Sequence, residues 1–205
     1  MINDVAGKQI ELILGSSSTY RAQILNRLRL PYRQISPAID ESPRAGEHPK
    51  ALAHRLGIEK AKAVVEQYRE AVPALVIGSD QTGHSGDLTL TKPGSVGSAV
   101  DMLLKLQGRE ATFYTSICLI RTDTEQRLCD TITTTVGFRN YTQDQLKRYV
   151  EVDQSQDCAG GFKVEALGTV LFKYVRSDDP TALIGLPLIT LINMLINCSI
   201  DPIPN

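Results

Sequence analysis

The unbroken apolar run Leu75-Val76-Ile77, inside a strand predicted over Ala74 to Asp80, constrains the fold most. A strand with one wet face alternates apolar and polar residues, whereas a continuous run suits a strand covered on both faces. Helices must therefore flank the sheet. The run ends in Gly78-Ser79-Asp80-Gln81, which puts a carboxylate at the C-terminal edge of a central strand. In open α/β sheets, ligands bind beyond such edges. An aspartate there also serves as an ordinary turn cap, and the residues alone leave both readings open.

A second apolar run, Leu12-Ile13-Leu14, gives way through Gly15-Ser16-Ser17-Ser18-Thr19-Tyr20-Arg21 to a helix patterned from Tyr20 to Arg29. A polar turn opening a helix aims backbone N–H groups, hydroxyls and the positive end of the helix dipole at one point, and Arg21 adds a guanidinium. That arrangement suits an anion, with phosphate the best fit; the alternative is that Ser18 or Thr19 merely caps the helix. Lys plus Arg number 22 against 23 Asp plus Glu, so there is no global basic field to hold a nucleic acid polymer. A small anionic ligand in a local basic pocket is the expectation. The start, Met1 to Gly15, carries Asp4 and Glu11 and does not resemble a signal peptide. The apolar stretch Leu183 to Ile196 contains Pro187 and Asn193 and falls short of the roughly 20 residues of a membrane span. A cytoplasmic protein is expected, without a membrane partner. Cys118, Cys129, Cys158 and Cys198 form no CxxC pair, and His48, His54 and His84 have no metal-ligand spacing. Neither a zinc site nor a disulfide framework is predicted.

Along the chain, strands are predicted at Glu11 to Leu14 and Tyr32 to Ser36, followed by a polar loop from Pro37 to Pro49 that carries Asp40-Glu41. Lys50 to Tyr68 has the helical period. At about 100° per residue, Leu52, Leu56, Ala63 and Val64 form one stripe, and Lys60 falls inside it. A lysine there either snorkels to an edge or answers a negative charge. A loop over Thr82 to Asp87 precedes Thr91-Lys92-Pro93-Gly94, and Ser95 or Ser98 opens a helix to Leu106. Ala111 to Arg121 and Arg127 to Phe138 read as a hairpin, Thr142 to Val150 as a helix capped by Thr142, Gly168 to Val175 as a strand, and Pro187 to Asn197 as an apolar helix. The whole, residues 1–205, is expected to be a single domain: a mixed, twisted α/β sheet flanked by helices, with two lobes and a central cleft.

Seven short motifs in register carry a resemblance. Ser18-x-x-Arg21, Asp40-Glu41, Glu59-Lys60-Ala61, Gly78-Ser79-Asp80-Gln81, Lys92-Pro93, Phe113-Tyr114-Thr115 and Cys158-Ala159-Gly160 resemble the Maf family of nucleoside triphosphate pyrophosphatases, over nearly the whole chain. Tyr20, the Ser-Asp-Gln form ending in Gln81, and Phe162-Lys163-Val164-Glu165 are most similar to the branch acting on 7-methyl-GTP. The branch acting on dTTP and UTP shows Ala-Asp-Thr, and a glutamine in place of Glu165.

The resemblance implies hydrolysis between the α and β phosphates, giving a monophosphate and pyrophosphate. It implies Asp80 as proton acceptor and Ser18, Arg21, Lys60 and Lys92 as phosphate ligands. Tyr20, Gln81 and Glu165 would set specificity. Glu41, with Asp80, would hold a divalent cation, Mg²⁺ or Mn²⁺. It also implies a homodimer. The loop after Asp80 and Thr91 before the Lys-Pro pair depart from the family pattern without touching these residues. Two alternatives stand beside this reading: a pyrophosphatase of dTTP or UTP, and a non-catalytic nucleotide-binding regulator of cell division, which would need the phosphate clamp but no base.

Overall fold

The computed structural model describes residues 1–203. The elements are β1 (Ile2–Asn3), β2 (Gln9–Gly15), α1 (Thr19–Leu25), β3 (Arg33–Ile35), α2 (Pro49–Gln67), β4 (Ala74–Ser85), β5 (Leu88–Thr89), α3 (Val96–Leu106), β6 (Glu110–Arg121), β7 (Arg127–Phe138), α4 (Gln143–Asp153), β8 (Phe172–Ser177) and α5 (Leu188–Asn197). Strand order is β1-β2-β4-β6-β7-β8, with β3 added to β2 and β5 to β4. β2 runs parallel to β3 and β4, while β1, β5 and β8 pair antiparallel with β2, β4 and β7 respectively. This is the mixed α/β sheet the sequence predicts. The chain divides into two compact units: Met1–Gln81 with Thr115–Ile132 and the segment from Asp179 onward, and Thr82–Tyr114 with Thr133–Asp178.

In the first unit the unbroken apolar runs have a direct explanation. Leu12, Leu14, Leu75 and Ile77 join a core with Ile24 and Leu25 of α1 and Leu191 and Leu195 of α5. Ile13 and Val76, on the opposite face, pack with Ala61 and Val64 of α2. Successive side chains thus enter different cores, and each fully buried aliphatic one contributes roughly 1.5–3 kcal/mol.

Helix α2 lies unusually near the sheet. A Cβ placed on Gly78 would stand 2.2 Å from the Gly57 carbonyl oxygen and 2.5 Å from the Ala61 nitrogen; one on Gly57 would stand 2.3 Å from Ser116 Oγ. Gly78 lets the backbone of α2 rest on that of β4, and Gly57 makes room for the Ser116 side chain of β6. The buried face of α2 is accordingly Ala53, Leu56, Gly57, Lys60, Ala61 and Val64, with Leu52 and Ala63 only half-buried. The predicted stripe is therefore turned, because small residues make the contact and a wheel weighted by large apolar side chains overlooks them. Lys60 lies in the middle of the corrected face.

In the second unit, Phe162 packs edge-on against Phe113, Phe138 and Phe172, with ring centroids 5.1–5.7 Å apart. Ser95 caps α3, and Thr142 with Gln145 forms a capping box at α4. Two expectations are corrected here. The segment after Asp80 is not a loop: β4 continues to Ser85, the Phe113 ring lies against Gly83, and the His84 ring stacks on Tyr114 at 5.7 Å. Gly168 to Val175 is not one strand: Leu167–Leu171 forms 3-10 turns, with the Gly168 N–H donating to the Lys163 carbonyl at 2.9 Å, and β8 begins at Phe172.

The cysteine expectation also changes. Cys118 on β6 and Cys129 on β7 are joined as a disulfide, with Cα atoms 4.1 Å apart. Only the hairpin register brings them opposite each other, so residue spacing gave no signal. Cys158 is half-buried and Cys198 buried. Among the described residues no helix is long and apolar enough to cross a membrane.

The close approach of α2 to β4 predicts that Gly78→Ala, which inserts a methyl where no space exists, destabilises the protein by about 1–3 kcal/mol. Denaturant unfolding measures this directly, and an unchanged midpoint would show that the contact yields without cost.

Candidate active site

The face of α2 that rests on β4 delivers one charged side chain, Lys60, whose residue is 4% exposed. Its ammonium lies 2.7 Å from Asp80 Oδ1 and 2.9 Å from Glu41 Oε1. The lysine therefore answers negative charge rather than snorkelling out. Asp80 is buried within β4, two residues past Gly78, where pairing with β2 ends. It thus stands beyond the end of a neighbouring strand, though within its own. Burial raises the Asp80 pKa above the ordinary 3.8; Lys60 and Arg21 oppose the rise, and the Glu41 charge adds to it. Lys60 takes one oxygen from each carboxylate. The second oxygen of each is a hard donor of the kind Mg²⁺ or Mn²⁺ prefers, and two carboxylates suit an ion that completes its shell with water and phosphate oxygens. No cluster of three or more His, Cys, Asp or Glu side chains positioned to hold a metal occurs among the described residues.

The polar turn after β2 folds as its residue types require. Ser18 caps α1, its hydroxyl accepting from the Arg21 N–H at 3.4 Å, and its own N–H donates to Ser16 Oγ at 3.1 Å. The cap and the anion reading are compatible, since a capped helix start still presents an arginine. The Arg21 guanidinium is fixed by Nε donating to the Gly185 carbonyl at 2.8 Å and Nη1 donating to Ser16 Oγ at 3.3 Å. Desolvation lowers its pKa, and the charges of Asp80 and Glu41 act against that. The site thus gathers two basic side chains, Arg21 and Lys60, and two acidic ones, Glu41 and Asp80.

Glu41 itself is exposed, and its loop is fastened from α2. Arg55 donates from Nε and Nη2 to the two oxygens of Glu47, both at 2.7 Å, from Nη1 to Glu59 at 2.9 Å and from Nη2 to the Ser42 carbonyl at 3.1 Å. Arg44 adds a bond to Glu59 at 3.2 Å, and Asp40 accepts from the Ser42 N–H at 2.9 Å. Arg55 was not singled out from the sequence. The available signal was a Glu47, Arg55, Glu59 spacing, whose first member lies in a loop of unknown path.

A family profile described as "Maf-like protein" matches residues 11–198. The chain belongs to the Maf family. Proteins named 7-methyl-GTP pyrophosphatase are similar to it. The one from Cupriavidus metallidurans is 46% identical over 90% of this chain and 91% of its own length, and that from Vibrio cholerae 44% over 91% and 95%. The Pseudomonas aeruginosa protein is 41% identical over 93% and 98%. Among solved structures the Staphylococcus aureus Ham1 protein covers 62% of this chain and 71% of its own, at 16% identity and a TM-score of 0.43, a likeness too loose to argue from.

Of the residues implied by the Maf resemblance, Ser18, Tyr20, Arg21, Glu41, Lys60, Asp80 and Gln81 belong to the first unit. The structure brings Glu41, Lys60 and Asp80 into direct contact, and Arg21 into their electrostatic field. Tyr20 is half-buried in the first turn of α1. Lys92 and Glu165 belong to the second unit. Lys92 is exposed on the extended segment between β5 and α3. Glu165 keeps solvent access, yet partial desolvation raises its carboxyl pKa; its own backbone N–H and Lys163 oppose the rise, and the Asp153 charge adds to it.

The Arg55 latch predicts a pH dependence of stability. Hydrogen bonds from Arg55 and the Arg44 backbone hold the Glu47 pKa at about 2, below the ordinary 4.5. A depressed carboxyl stabilises the folded state above its unfolded pKa, and this contribution is lost as pH falls from about 4.5 to about 2. Denaturant unfolding between those limits should show a shallower loss of stability for Glu47→Gln than for the unaltered protein. Parallel curves would rule the latch out as a contributor.

Proposed function

We propose that this chain hydrolyses 7-methyl-GTP at the α–β phosphoanhydride, giving 7-methyl-GMP and pyrophosphate. The observation that carries the reading is the buried Asp80, raised in pKa and held against Lys60 beside Arg21, in a member of a family whose relatives bear that activity in their names. A carboxylate lifted above its usual range is a better proton acceptor near neutral pH than an exposed aspartate. Asp80 orients a water and takes its proton as the oxygen attacks phosphorus; the α–β anhydride bond breaks, and its electron pair leaves with pyrophosphate. Arg21 and Lys60 hold the phosphate charge, and Ser18 donates a hydrogen bond.

Glu41 and Asp80 would hold a divalent cation, which when bound spreads charge on the phosphate oxygens. Lys92 is assigned to phosphate binding. Base choice is assigned to Tyr20 and Glu165. Methylation at N7 makes guanine cationic, which favours an aromatic face and a carboxylate able to accept from N1–H and the exocyclic amine together. A free nucleotide substrate goes with a cytoplasmic location. A binding regulator would have no use for a base with a raised pKa.

With Mg²⁺ or Mn²⁺ the protein should release pyrophosphate from 7-methyl-GTP, and chelation should stop it; release of single phosphate would mean the wrong bond. Asp80→Asn should lower turnover by roughly 100-fold or more while retaining nucleotide affinity. Because the base must be ionised, kcat/KM should fall on the acid side at a pH above 3.8, the ordinary aspartate value. Higher catalytic efficiency on UTP or dTTP would move the protein to the other branch, and Glu165→Gln should weaken any preference for the methylated base.

A further inference from the structure

The turn between β8 and α5, residues 181–185, holds two side chains of the candidate site, Arg21 and Gln81. The Gly185 carbonyl accepts from Arg21 Nε at 2.8 Å and from Ser79 Oγ at 3.0 Å. The Ala182 carbonyl accepts from Thr115 Oγ1 at 2.8 Å and from Gln81 Nε2 at 2.9 Å, and Gln81 Nε2 also reaches the Leu183 carbonyl at 3.1 Å and Thr115 Oγ1 at 2.9 Å. All of these residues belong to the first unit.

Donor counting gives these contacts their meaning. A glutamine amide has two hydrogens, and three acceptors surround Nε2 of Gln81, two of them carbonyls that cannot donate. That fixes the orientation of the amide and spends both its hydrogens inside the protein. Gln81 can offer a ligand only Oε1. For Arg21, one edge of the guanidinium is committed at Nε, and Nη1 spends one hydrogen on Ser16. One hydrogen of Nη1 and both of Nη2 remain for an anion, which defines the direction from which a phosphate is gripped.

The turn is in turn fixed by Asp179, a fully buried carboxylate. Its Oδ1 accepts from the Thr181 N–H at 3.2 Å and lies 2.8 Å from the Thr181 hydroxyl; its Oδ2 accepts from the Thr190 N–H at 3.0 Å and the Thr190 hydroxyl at 3.3 Å. Gly185 closes the turn at φ 123°, a conformation that favours glycine.

We propose that the turn 181–185 is a positioning element of the active site, its carbonyls aiming Arg21 at phosphate and holding Gln81, which acts through the turn rather than by donating hydrogen bonds to the base. The consequence for turnover rests on the pyrophosphatase reading; the orientation of Arg21 does not. Thr115 is suited to the test because it is fully buried and meets the turn without reaching a ligand.

Thr115→Val keeps the shape and removes the hydroxyl, while Thr115→Ser keeps the hydroxyl. For Thr115→Val, KM for 7-methyl-GTP should rise about tenfold, the effect of one lost hydrogen bond, with kcat changed less than about threefold. In the nucleotide-free protein, exchange of the Arg21 Nε–H with water, followed by ¹⁵N NMR and assigned by its loss in Arg21→Lys, should speed up by a similar factor. Thr115→Ser should restore both. If Thr115→Val does not fold, Ser79→Ala, which removes the second donor to the Gly185 carbonyl, is read in the same two ways. Unchanged KM and unchanged exchange would overturn the proposal, as would a KM shift that leaves Arg21 protected. An unaltered protein inactive on 7-methyl-GTP would sink the functional reading alone, because the exchange experiment still judges the turn.

Discussion

The backbone of α2 rests directly on β4 because the Gly57 carbonyl and the Ala61 nitrogen fill the space a side chain at Gly78 would need, while Gly57 leaves room for Ser116 of β6, and most of the candidate site depends on that contact. With a side chain at either position the helix would have to move outward. Lys60, one turn along α2 from Gly57, would then lose its reach to Asp80, two residues along β4 from Gly78. Ser116 reinforces the same joint from β6, donating to the Ala53 carbonyl at 2.6 Å while its Oγ accepts from the Asp80 N–H at 3.2 Å. The small residues that permit the contact and the charged residues that use it are therefore one structural unit.

That contact also explains how a lysine tolerates burial. An ammonium removed from water is costly unless paired, and stripping a buried pair of one member costs about 3–5 kcal/mol in typical proteins. Here the ammonium has two carboxylate partners of different exposure, Glu41 at 56% and Asp80 at 8% of their side-chain surface. Asp80 stays in place while Glu41 stands on a loop tied down by Arg55. The charge balance can thus change at the exposed member without disturbing the buried one.

Much of this was legible in the sequence, and the failures share a cause. The strand through Ala74 to Asp80, the helix over α2, the hairpin, the Thr142 cap and the oddity of Lys60 all follow from periodicity and residue chemistry. What escaped depends on a neighbour distant in sequence. β4 runs on through Gly83 because an aromatic ring packs there, although glycine and histidine read locally as loop. The true buried stripe of α2 is set by glycine and alanine, which carry little hydrophobic signal. Cys118 and Cys129 meet only through strand register. The Gly185 and Ala182 carbonyls are backbone atoms, and no side-chain pattern announces them.

The division of the chain bears on how the protein is made. β4, β6 and β7 each begin in one unit and end in the other, so the first unit is assembled from three separate stretches of sequence, the last starting at Asp179. Its main core needs Leu186, Leu188, Leu191, Met194 and Leu195 from that final stretch to cover Leu12, Leu14, Leu75 and Ile77. During synthesis those strand residues leave the ribosome long before their cover does. The nascent chain therefore carries an open apolar surface until Leu186 to Leu195 are made. A premature stop before α5 would release a protein with every residue of the Glu41, Lys60 and Asp80 cluster present and no closed core to hold them.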